Sequence, residues 1–163
     1  MSEPVRAGLS PVYRRDARLL ILGSFPGEKS LAAERYYAHP RNHFWKLVGG
    51  VCGREFADLD YGARLDQLCD CHVALWDMAA SARRKGSLDA NLRVEVLADV
   101  AGLIARLPTL RAVAFNGGQA WRLGLRLVLP PGVAAIALPS SSPANTAPFA
   151  AKQAVWENLR NFL

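Results

Sequence analysis

The sequence lacks the features on which disulfide frameworks and membrane segments depend. Its 163 residues include three cysteines, which cannot all pair and form no CxxC motif, so we expect a reduced, cytoplasmic protein. The longest uninterrupted apolar stretch, residues 133–138, is far too short to span a bilayer. No long apolar core follows the amino terminus, so the sequence predicts neither a secretory signal nor a membrane partner.

Acidic residues are scarce in the second half of the chain. Residues 1–80 carry ten basic and ten acidic residues, whereas residues 81–163 carry ten basic and four acidic ones and so account for the whole net charge of +6. After Asp99 the only acidic residue is Glu157. One face that binds a polyanion such as DNA explains this asymmetry. An arginine-rich composition inherited from the genome explains it equally well.

Four short apolar runs, each followed by turn residues, predict the strands of one buried sheet. Because the runs are apolar on both faces, they are typical of parallel strands covered on both sides. They lie at residues 18–23, 71–77, 111–116 and 133–139. Helical patterns lie at residues 44–51, 61–68, 91–107, 120–127 and 148–163. This alternation predicts one α/β domain over residues 1–163, a three-layer α/β/α structure with a central four-stranded, mainly parallel sheet.

In sheets of this kind, ligands bind beyond the carboxyl ends of the strands. The first predicted strand leads into the turn GSFPG, residues 23–27, whose glycines and proline let the backbone approach a ligand closely. The turn lacks the GKS or GKT ending of a P-loop and the GxGxxG pattern of a dinucleotide site. An ordinary connection from a strand to a helix is the alternative.

Aromatic and polar residues are concentrated in the segment YYAHPRNHFW, residues 36–45, just before a predicted helix. Asn42 is suited to cap that helix, but a cap needs no more than one such side chain. Aromatic residues beside an amide are typical of a site that stacks and hydrogen-bonds a flat heterocycle. His39 and His43 have no third ligand nearby, so we expect no metal.

Polar residues also follow the second and third predicted strands. The second strand ends at Asp77, whose role the sequence does not determine, and leads into the basic triplet at residues 83–85, which either contacts phosphates or forms a solvated loop. Ser87 is suited to cap the helix predicted next. The third strand ends at Asn116, whose amide can read the edge of a bound base or simply belong to an Asn-Gly turn.

The fourth strand leads into the loop PSSSPANT, residues 139–146. Its hydroxyls and backbone amides, before a helix with Thr146 as its predicted N-cap, can cradle a phosphate without any lysine. An ordered connection between a strand and a helix is the alternative. No GxSxG motif and no Ser-His-Asp arrangement accompanies the serines, so we exclude a serine hydrolase.

Taken together, these motifs resemble the uracil-DNA glycosylase superfamily, and most closely its hypoxanthine-DNA (deoxyinosine) glycosylase branch. They are GSFPG, YYAHPRNHFW, FNG after the third strand and PSSSPAN after the fourth, and the similarity extends from about residue 19 to the carboxyl terminus. The resemblance implies a monofunctional glycosylase without metal or cofactor. Such an enzyme extrudes a deaminated base from DNA and hydrolyses its N-glycosidic bond, which initiates base excision repair.

The resemblance also implies roles for individual residues. Where this sequence has Phe25, the superfamily usually has a polar residue that positions the attacking water molecule. The hypoxanthine branch has an asparagine in the second motif instead, so the resemblance implies that Asn42 has this catalytic role. A phenyl ring is suited to stack on the extruded base. The expected base-binding residues are Gly23, Ser24, Phe25, His39 and Asn116, and the expected DNA-binding residues are Ser140, Ser141, Ser142, Pro143, Asn145, Arg83 and Arg84.

Two alternatives remain open. One is a mismatch-type uracil-DNA glycosylase, whose pocket would exclude purines. The other is a catalytically inactive nucleic-acid-binding module, which the phenyl ring of Phe25 in place of a polar residue favours. An iron–sulfur glycosylase is excluded because it needs four suitably placed cysteines. The expected partner is double-stranded or single-stranded DNA that contains deaminated bases, and the resemblance implies a monomer that acts at the nucleoid.

Overall fold

The computed structural model describes residues 3–163. Its strands are β1 (Arg6–Ala7), β2 (Leu19–Gly23), β3 (Val73–Asp77), β4 (Ala79–Arg83), β5 (Arg93–Leu97), β6 (Ala112–Asn116) and β7 (Ala134–Leu138). Its α-helices are α1 (Glu28–Ala33), α2 (Phe44–Cys52), α3 (Tyr61–Asp70), α4 (Val100–Ala105), α5 (Gly118–Gly124) and α6 (Phe149–Trp156), with 3-10 helices at Asp89–Asn91 and Glu157–Phe162. Each helix within residues 3–163 is too short or too polar to cross a membrane.

Strands β2, β3, β6 and β7 form one parallel sheet in the order β3-β2-β6-β7. Their side chains alternate between two helical layers. In β2, Leu19 and Ile21 pack into a core with α2, α3 and α6, whereas Leu20 and Leu22 pack into a core with α4 and α5 on the opposite face. The predicted α/β/α architecture with a four-stranded parallel sheet is therefore confirmed.

The prediction of one long helix over residues 91–107 is wrong. Residues Arg93–Leu97 form β5, which pairs antiparallel with β4, and β1 adds to the other edge of β4 to give a second, three-stranded sheet. Helix α4 begins only at Val100 and is capped by Asp99, whose Oδ1 accepts a hydrogen bond from the N–H of Gly102 at 3.0 Å. The apolar residues at positions 92, 94 and 96 have the two-residue period of a strand, whereas those at positions 92, 96 and 100 lie on one face of a helix. Pairing with β4 favours the strand.

Two predicted helix caps are also wrong. Ser87 does not cap the segment that follows it. Its Oγ accepts a hydrogen bond at 2.9 Å from the backbone N–H of Glu28, the first residue of α1. Thr146 does not cap α6, which begins after Pro148 without a side-chain cap. Since proline has no N–H, the start of α6 has one donor fewer to satisfy.

The carboxyl ends of the parallel strands meet at one edge of the sheet. There Gly23 lies directly beside Asp77, and Asn116 lies beside Leu138. The segments that follow these strands are the polar motifs of the sequence. Their convergence at this edge creates the position where ligands bind in parallel α/β sheets.

Candidate active site

A cavity of about 420 Å³ opens at this edge of the sheet. Its volume lies within the range of about 300–1,000 Å³ that is usual for small-molecule sites. The predicted residues that line it are Gly23, Ser24, Phe25, His39, Asn42, Asn116, Ser140, Ser141, Ser142, Pro143 and Asn145. Residues that the sequence did not assign to a site also line it, among them Lys29, Tyr37, Asp77, Asp89 and Arg122.

A larger groove of about 1080 Å³ adjoins this cavity and shares Tyr36, Tyr37, His39 and Asn42 with it. Residues of α2, α3 and the chain after α6 line the groove. The last residues of β2, β3 and β6 open into the smaller cavity instead. The smaller cavity is therefore the candidate site.

Asn42 stands on the wall of the cavity, just before α2. Its Oδ1 accepts a hydrogen bond at 2.9 Å from the backbone N–H of Phe44, the first residue of α2. Its own backbone N–H donates to the carbonyl oxygen of His39 at 2.9 Å, which closes a tight turn. The amide NH₂ group takes no part in either bond. Satisfying the helix N-terminus and holding a water molecule are thus compatible roles for this side chain.

Tyr37 fixes the course of the chain ahead of α2. It has a positive φ of 53°, which is uncommon for a residue with a bulky side chain, and its ring stacks on Phe44 with 4.0 Å between centroids. Its hydroxyl accepts a hydrogen bond from Asn116 Nδ2 at 3.1 Å. Burial raises the pKa of Tyr37 above its usual value, so the hydroxyl keeps its proton as a donor beside the cavity.

Asn116 lies on the floor of the cavity and is 8% exposed. Its Nδ2 donates to the Tyr37 hydroxyl and, at 2.9 Å, to Ser141 Oγ, while its Oδ1 accepts from the backbone N–H of Ser141 at 2.9 Å. The amide thus ties β6 to the loop after β7 and to the segment before α2. Because both donors are engaged, reading of a base by Asn116 requires the exchange of a partner and stays a prediction.

The serine-rich loop, residues 139–146, satisfies its own backbone amides. The N–H of Ser142 donates to Ser140 Oγ at 3.1 Å, and the N–H of Ala144 donates to Ser142 Oγ at 3.2 Å. The N–H of Ser141 is taken by Asn116. These amides are therefore not free to cradle a phosphate. The hydroxyls of Ser140 and Ser142 accept in these bonds and keep their own protons for a phosphate oxygen.

Side chains of helix α6 hold the serine-rich loop through its backbone carbonyls. Lys152 is fully buried, and its Nζ lies 3.3 Å from the carbonyl oxygen of Ser142 and 3.3 Å from His43 Nδ1. Burial lowers the pKa of Lys152. Trp156 Nε1 donates to the carbonyl oxygen of Pro139 at 2.9 Å. No sequence pattern indicated Lys152, because a single lysine on a helix is usually solvated.

Phe25 contributes little surface to the cavity, since it is only 7% exposed. Its ring packs against Ala79, Ala82 and Leu92, which belong to or adjoin the second sheet. The guanidinium carbon of Arg84 lies 5.5 Å from the centroid of the ring. Stacking of Phe25 on an extruded base therefore remains a prediction that depends on a small exposed part of the ring.

The two arginines predicted to contact DNA are held by internal contacts. Only 3% of the Arg84 side chain is exposed, and its guanidinium pairs with Asp89 at 3.5 Å and donates to the carbonyl oxygen of Pro26. Arg83 Nε donates to Glu95 Oε1 at 2.7 Å. Neither arginine lines the cavity. Arg84 thus braces the GSFPG turn and Arg83 braces the second sheet, and their contact with DNA stays a prediction.

Two exposed cations, Lys29 on α1 and Arg122 on α5, stand at the cavity instead. Each lies six residues beyond the last residue of a sheet strand, Gly23 and Asn116 respectively. A helix that begins at the carboxyl end of a strand presents its first turns to the same edge of the sheet, so this spacing could have indicated both residues. Their positive charges favour an anionic group at the cavity.

Asp77, at the carboxyl end of β3, is a buried acid that sequence reasoning left undecided. It is 4% exposed, and none of residues 3–163 gives its Oδ2 a hydrogen bond. Burial raises the pKa of Asp77 to about 7; the neighbouring Asp89 carboxylate acts in the same direction and Arg84 in the opposite one. The carboxyl group packs so closely on Gly23 that a Cβ at that position would collide with Asp77 Oδ1.

The two histidines near the site take part in local contacts. His39 Nδ1 accepts a hydrogen bond from the N–H of Arg41 at 3.1 Å. His43 packs edge-on against Phe149, with 5.2 Å between centroids, and burial and the nearby charge of Lys152 lower its pKa. Within residues 3–163, no three His, Cys, Asp or Glu side chains cluster closely enough to hold a metal ion.

Known proteins resemble the chain over nearly its whole length. The family model described as the Uracil DNA glycosylase superfamily matches residues 10–160. Hypoxanthine DNA glycosylase from Methanosarcina acetivorans is 34% identical over 153 residues, which cover 94% of this chain and 96% of that protein. The protein of the same name from Methanosarcina barkeri is 35% identical over 112 residues, which cover 69% of this chain and 71% of that one.

A solved structure shares the fold. The solution NMR structure of a Methanosarcina acetivorans protein, proposed to be a uracil DNA glycosylase, superposes with a TM-score of 0.84 at 33% identity and covers 98% of this chain and 99% of that one. Fold, cavity and relatives together define a DNA glycosylase. The chain belongs to the uracil-DNA glycosylase superfamily, as its four motifs indicated.

Proposed function

We propose that this glycosylase removes deaminated bases from DNA, hypoxanthine first among them, by hydrolysing the N-glycosidic bond. Asn42 carries the proposal: it stands on the wall of a cavity at the strand ends, in a chain 34% identical to a hypoxanthine DNA glycosylase. The product is an abasic site, which initiates base excision repair. The relatives named for hypoxanthine support this base ahead of uracil.

The substrate reaches the cavity by extrusion from the helix. A base inside a duplex is inaccessible, and turning its nucleotide outward costs a few kcal/mol. Mispaired inosine or uracil has already lost pairing energy, which lowers this cost. The hydroxyls of Ser140 and Ser142, with Lys29 and Arg122, surround the cavity and supply the phosphate contacts that offset the remainder.

Cleavage needs no strong protein nucleophile. As the glycosidic bond breaks, positive charge develops on the sugar and negative charge on the base, so a water molecule held by the Asn42 amide can capture the sugar. The Tyr37 hydroxyl lies at the cavity as a donor toward the departing base, and the Asn116 amide holds it in place by a hydrogen bond at 3.1 Å. Buried Lys152 does not line the cavity, so its amine is not placed to attack the sugar. Lys29 does line the cavity, but it is exposed and lacks the desolvated surroundings that activate a lysine as a nucleophile. The enzyme is therefore proposed to be monofunctional.

A uracil-preferring enzyme is the second candidate, because the structure with a TM-score of 0.84 belongs to a protein proposed to be a uracil DNA glycosylase. The cavity of about 420 Å³ is larger than a purine base and so does not exclude hypoxanthine by size. We also propose that the enzyme acts as a monomer in the cytoplasm, at the nucleoid, on double-stranded or single-stranded DNA.

A labelled-oligonucleotide assay tests this function. Duplexes and single strands that carry one inosine, uracil, xanthine or 7,8-dihydro-8-oxoguanine are incubated with the protein and EDTA, and half of each sample is then treated with hot alkali. We expect strand scission at inosine only after alkali, because a monofunctional glycosylase leaves an intact backbone at the abasic site. The Asn42→Ala variant, at equal concentration, shows whether the activity belongs to this site.

Each other outcome selects a different function. Scission at uracil alone keeps the mechanism and makes uracil the substrate. Scission before alkali replaces a hydrolytic mechanism with a lyase mechanism. Binding to duplexes without scission at any base overturns the enzymatic function and leaves a nucleic-acid-binding module.

A further inference from the structure

The floor of the cavity contains a carboxyl group, that of Asp77, one oxygen of which has no hydrogen-bond partner among the described residues. Its other polar side chains are paired: Ser24 Oγ donates to Asp89 Oδ1 at 2.8 Å, and the Asn116 amide is bonded to its neighbours. Asp77 Oδ2 is buried and has no hydrogen-bond partner in the part of the chain that the structure describes. A buried polar atom without a hydrogen bond is costly and uncommon in folded proteins, so this atom marks where a ligand would supply the missing partner.

Within residues 3–163, the groups around Asp77 do not give it an ion-pair partner. The guanidinium of Arg84, a cation whose charge acts on Asp77, pairs with Asp89. Asp89 from the 3-10 helix presents a second carboxylate, and the segment before α2 presents the Tyr37 hydroxyl. The hydroxyl of neighbouring Tyr36 donates to the carbonyl oxygen of Ser10 at 2.7 Å instead. The other titratable groups that line the cavity are Glu28, Lys29, His39 and Arg122. A buried carboxyl group beside another carboxylate favours its protonated form.

We propose that Asp77 is a catalytic residue that contacts the extruded base as a neutral carboxylic acid, its Oδ2–H donating a hydrogen bond to the keto oxygen of that base; this assignment rests on the proposed function. Hypoxanthine and uracil each carry a ring N–H beside a keto group. A neutral carboxyl group offers one O–H donor and one acceptor oxygen, so it matches both atoms at once. One side chain therefore recognises the feature that the two deaminated bases share.

This contact strengthens as the reaction proceeds. The bond from C1′ to the base nitrogen breaks and its electron pair passes to the base, while water adds to C1′ and releases a proton to solvent. Negative charge spreads onto the keto oxygen of the departing base, where the fixed O–H donor of Asp77 stabilises it. Asp77 keeps its proton throughout. An ionised Asp77 would instead place a negatively charged oxygen against the keto group and oppose cleavage.

The test compares the wild type with Asp77→Asn, Asp77→Ala and Asp66→Asn. The asparagine variant keeps a donor at every pH, the alanine variant has none, and Asp66 is a surface control whose side chain is 80% exposed. Single-turnover excision of inosine from a duplex is measured between about pH 6 and about pH 9. We expect the wild-type and Asp66→Asn rates to fall about tenfold or more over this range. Asp77→Asn should stay within about threefold of the wild type at low pH without that fall, and Asp77→Ala should be about 100-fold slower throughout.

A second readout does not depend on cleavage. Duplexes that contain a 2′-fluorinated inosine nucleotide resist hydrolysis, so their affinity reports the contact with the base alone. The affinity of the wild-type protein for these duplexes, divided by its affinity for an undamaged duplex, should be lower at about pH 9 than at about pH 6. The same ratio for Asp77→Asn should not change with pH. Thermal unfolding of each variant confirms that it is folded.

The outcomes separate the role of Asp77 from the function of the enzyme. If folded Asp77→Asn is as slow as Asp77→Ala, or if the wild type and Asp77→Asn share one pH dependence, the role of Asp77 is overturned while the glycosylase function stands. If the wild type excises no base at all, the proposed function fails, and the assignment of Asp77 fails with it.

Discussion

Asn116 and Ser141 exchange two hydrogen bonds across the floor of the cavity. Asn116 Nδ2 donates to Ser141 Oγ at 2.9 Å, and the backbone N–H of Ser141 donates to Asn116 Oδ1 at 2.9 Å. Both residues are buried. Asn116 is also the last residue of β6 to pair with β7, so its side chain continues the pairing of these strands into the serine-rich loop. The position of that loop therefore depends on one amide.

Asn116→Ala should lower the free energy of unfolding by about 2–3 kcal/mol, because it leaves the buried N–H of Ser141 without an acceptor and removes a donor from the Tyr37 hydroxyl. Ser141→Ala should cost about 1 kcal/mol, since Asn116 Nδ2 keeps Tyr37 as a partner. Urea unfolding of both variants and the wild type measures these differences. Equal losses in the two variants would show that the amide is not the centre of this network.

Asn42→Ala should slow excision of inosine by about 100- to 1,000-fold while duplex affinity stays close to that of the wild type, because it removes the group proposed to hold the water molecule. It should also cost about 1 kcal/mol of stability, since Phe44 loses the acceptor for its N–H. Single-turnover kinetics measures the excision rate, and fluorescence anisotropy measures the duplex affinity.

Asn42→Ser is the matched control for this prediction. Its hydroxyl can still accept the N–H of Phe44, but it lacks the amide. We expect wild-type stability together with a strong loss of cleavage. Wild-type turnover by Asn42→Ala would remove Asn42 from the mechanism.

Gly23→Ala should damage the floor of the cavity. The added Cβ collides with Asp77 Oδ1 and lies 3.0 Å from the Tyr37 hydroxyl, so both side chains must shift. We expect a loss of about 1–3 kcal/mol in stability and at least about a tenfold loss in excision rate. Gly62→Ala, whose Cβ has only an ordinary contact at 3.6 Å in α3, should be as stable as the wild type or more so. Urea unfolding measures the stability of both variants, and single-turnover assays measure their excision rates. Equal stabilities and equal rates would show that the floor tolerates a methyl group.

The sheet and the place of the site were predictable because their signals are local. Runs that are apolar on both faces must be covered on both sides, and parallel strands bring their carboxyl ends, with residues such as Gly23 and Asn116, to one edge. Both statements need only the order of residues along the chain. The cavity accordingly contains nearly all of the predicted site residues.

The errors arose where residues distant in sequence decide the outcome. Residues 92–100 satisfy a strand period and a helix period together, and only pairing with β4, whose sequence AASAR has no marked strand pattern, distinguishes them. Arg84 belongs to a basic triplet typical of a solvated loop, yet its contacts with Asp89 and the Pro26 carbonyl turn it inward. The role of Asp77 could not be predicted, because the register of the strands and the segments around residues 37 and 89 determine which groups surround it.

Asp77 should make the stability of the unliganded protein depend on pH. Its pKa is raised from 3.8 to about 7 on folding, chiefly by burial, so the folded state holds this proton more tightly than the unfolded state does. Its contribution to stability is therefore fully present below about pH 4 and is lost progressively as the pH rises through about 7. Asp77→Asn has no such proton.

The free energy of unfolding of Asp77→Asn, relative to the wild type, should accordingly rise between about pH 4 and about pH 8 by up to about 4 kcal/mol. Urea unfolding of both proteins at several pH values measures this difference, in which the titration of all other groups cancels to first order. A difference that does not change with pH would mean that the Asp77 carboxyl group ionises in the folded protein as readily as in water. The cavity floor would then hold a carboxylate at neutral pH, and the unpartnered Oδ2 would have to accept a hydrogen bond from the ring N–H of the base.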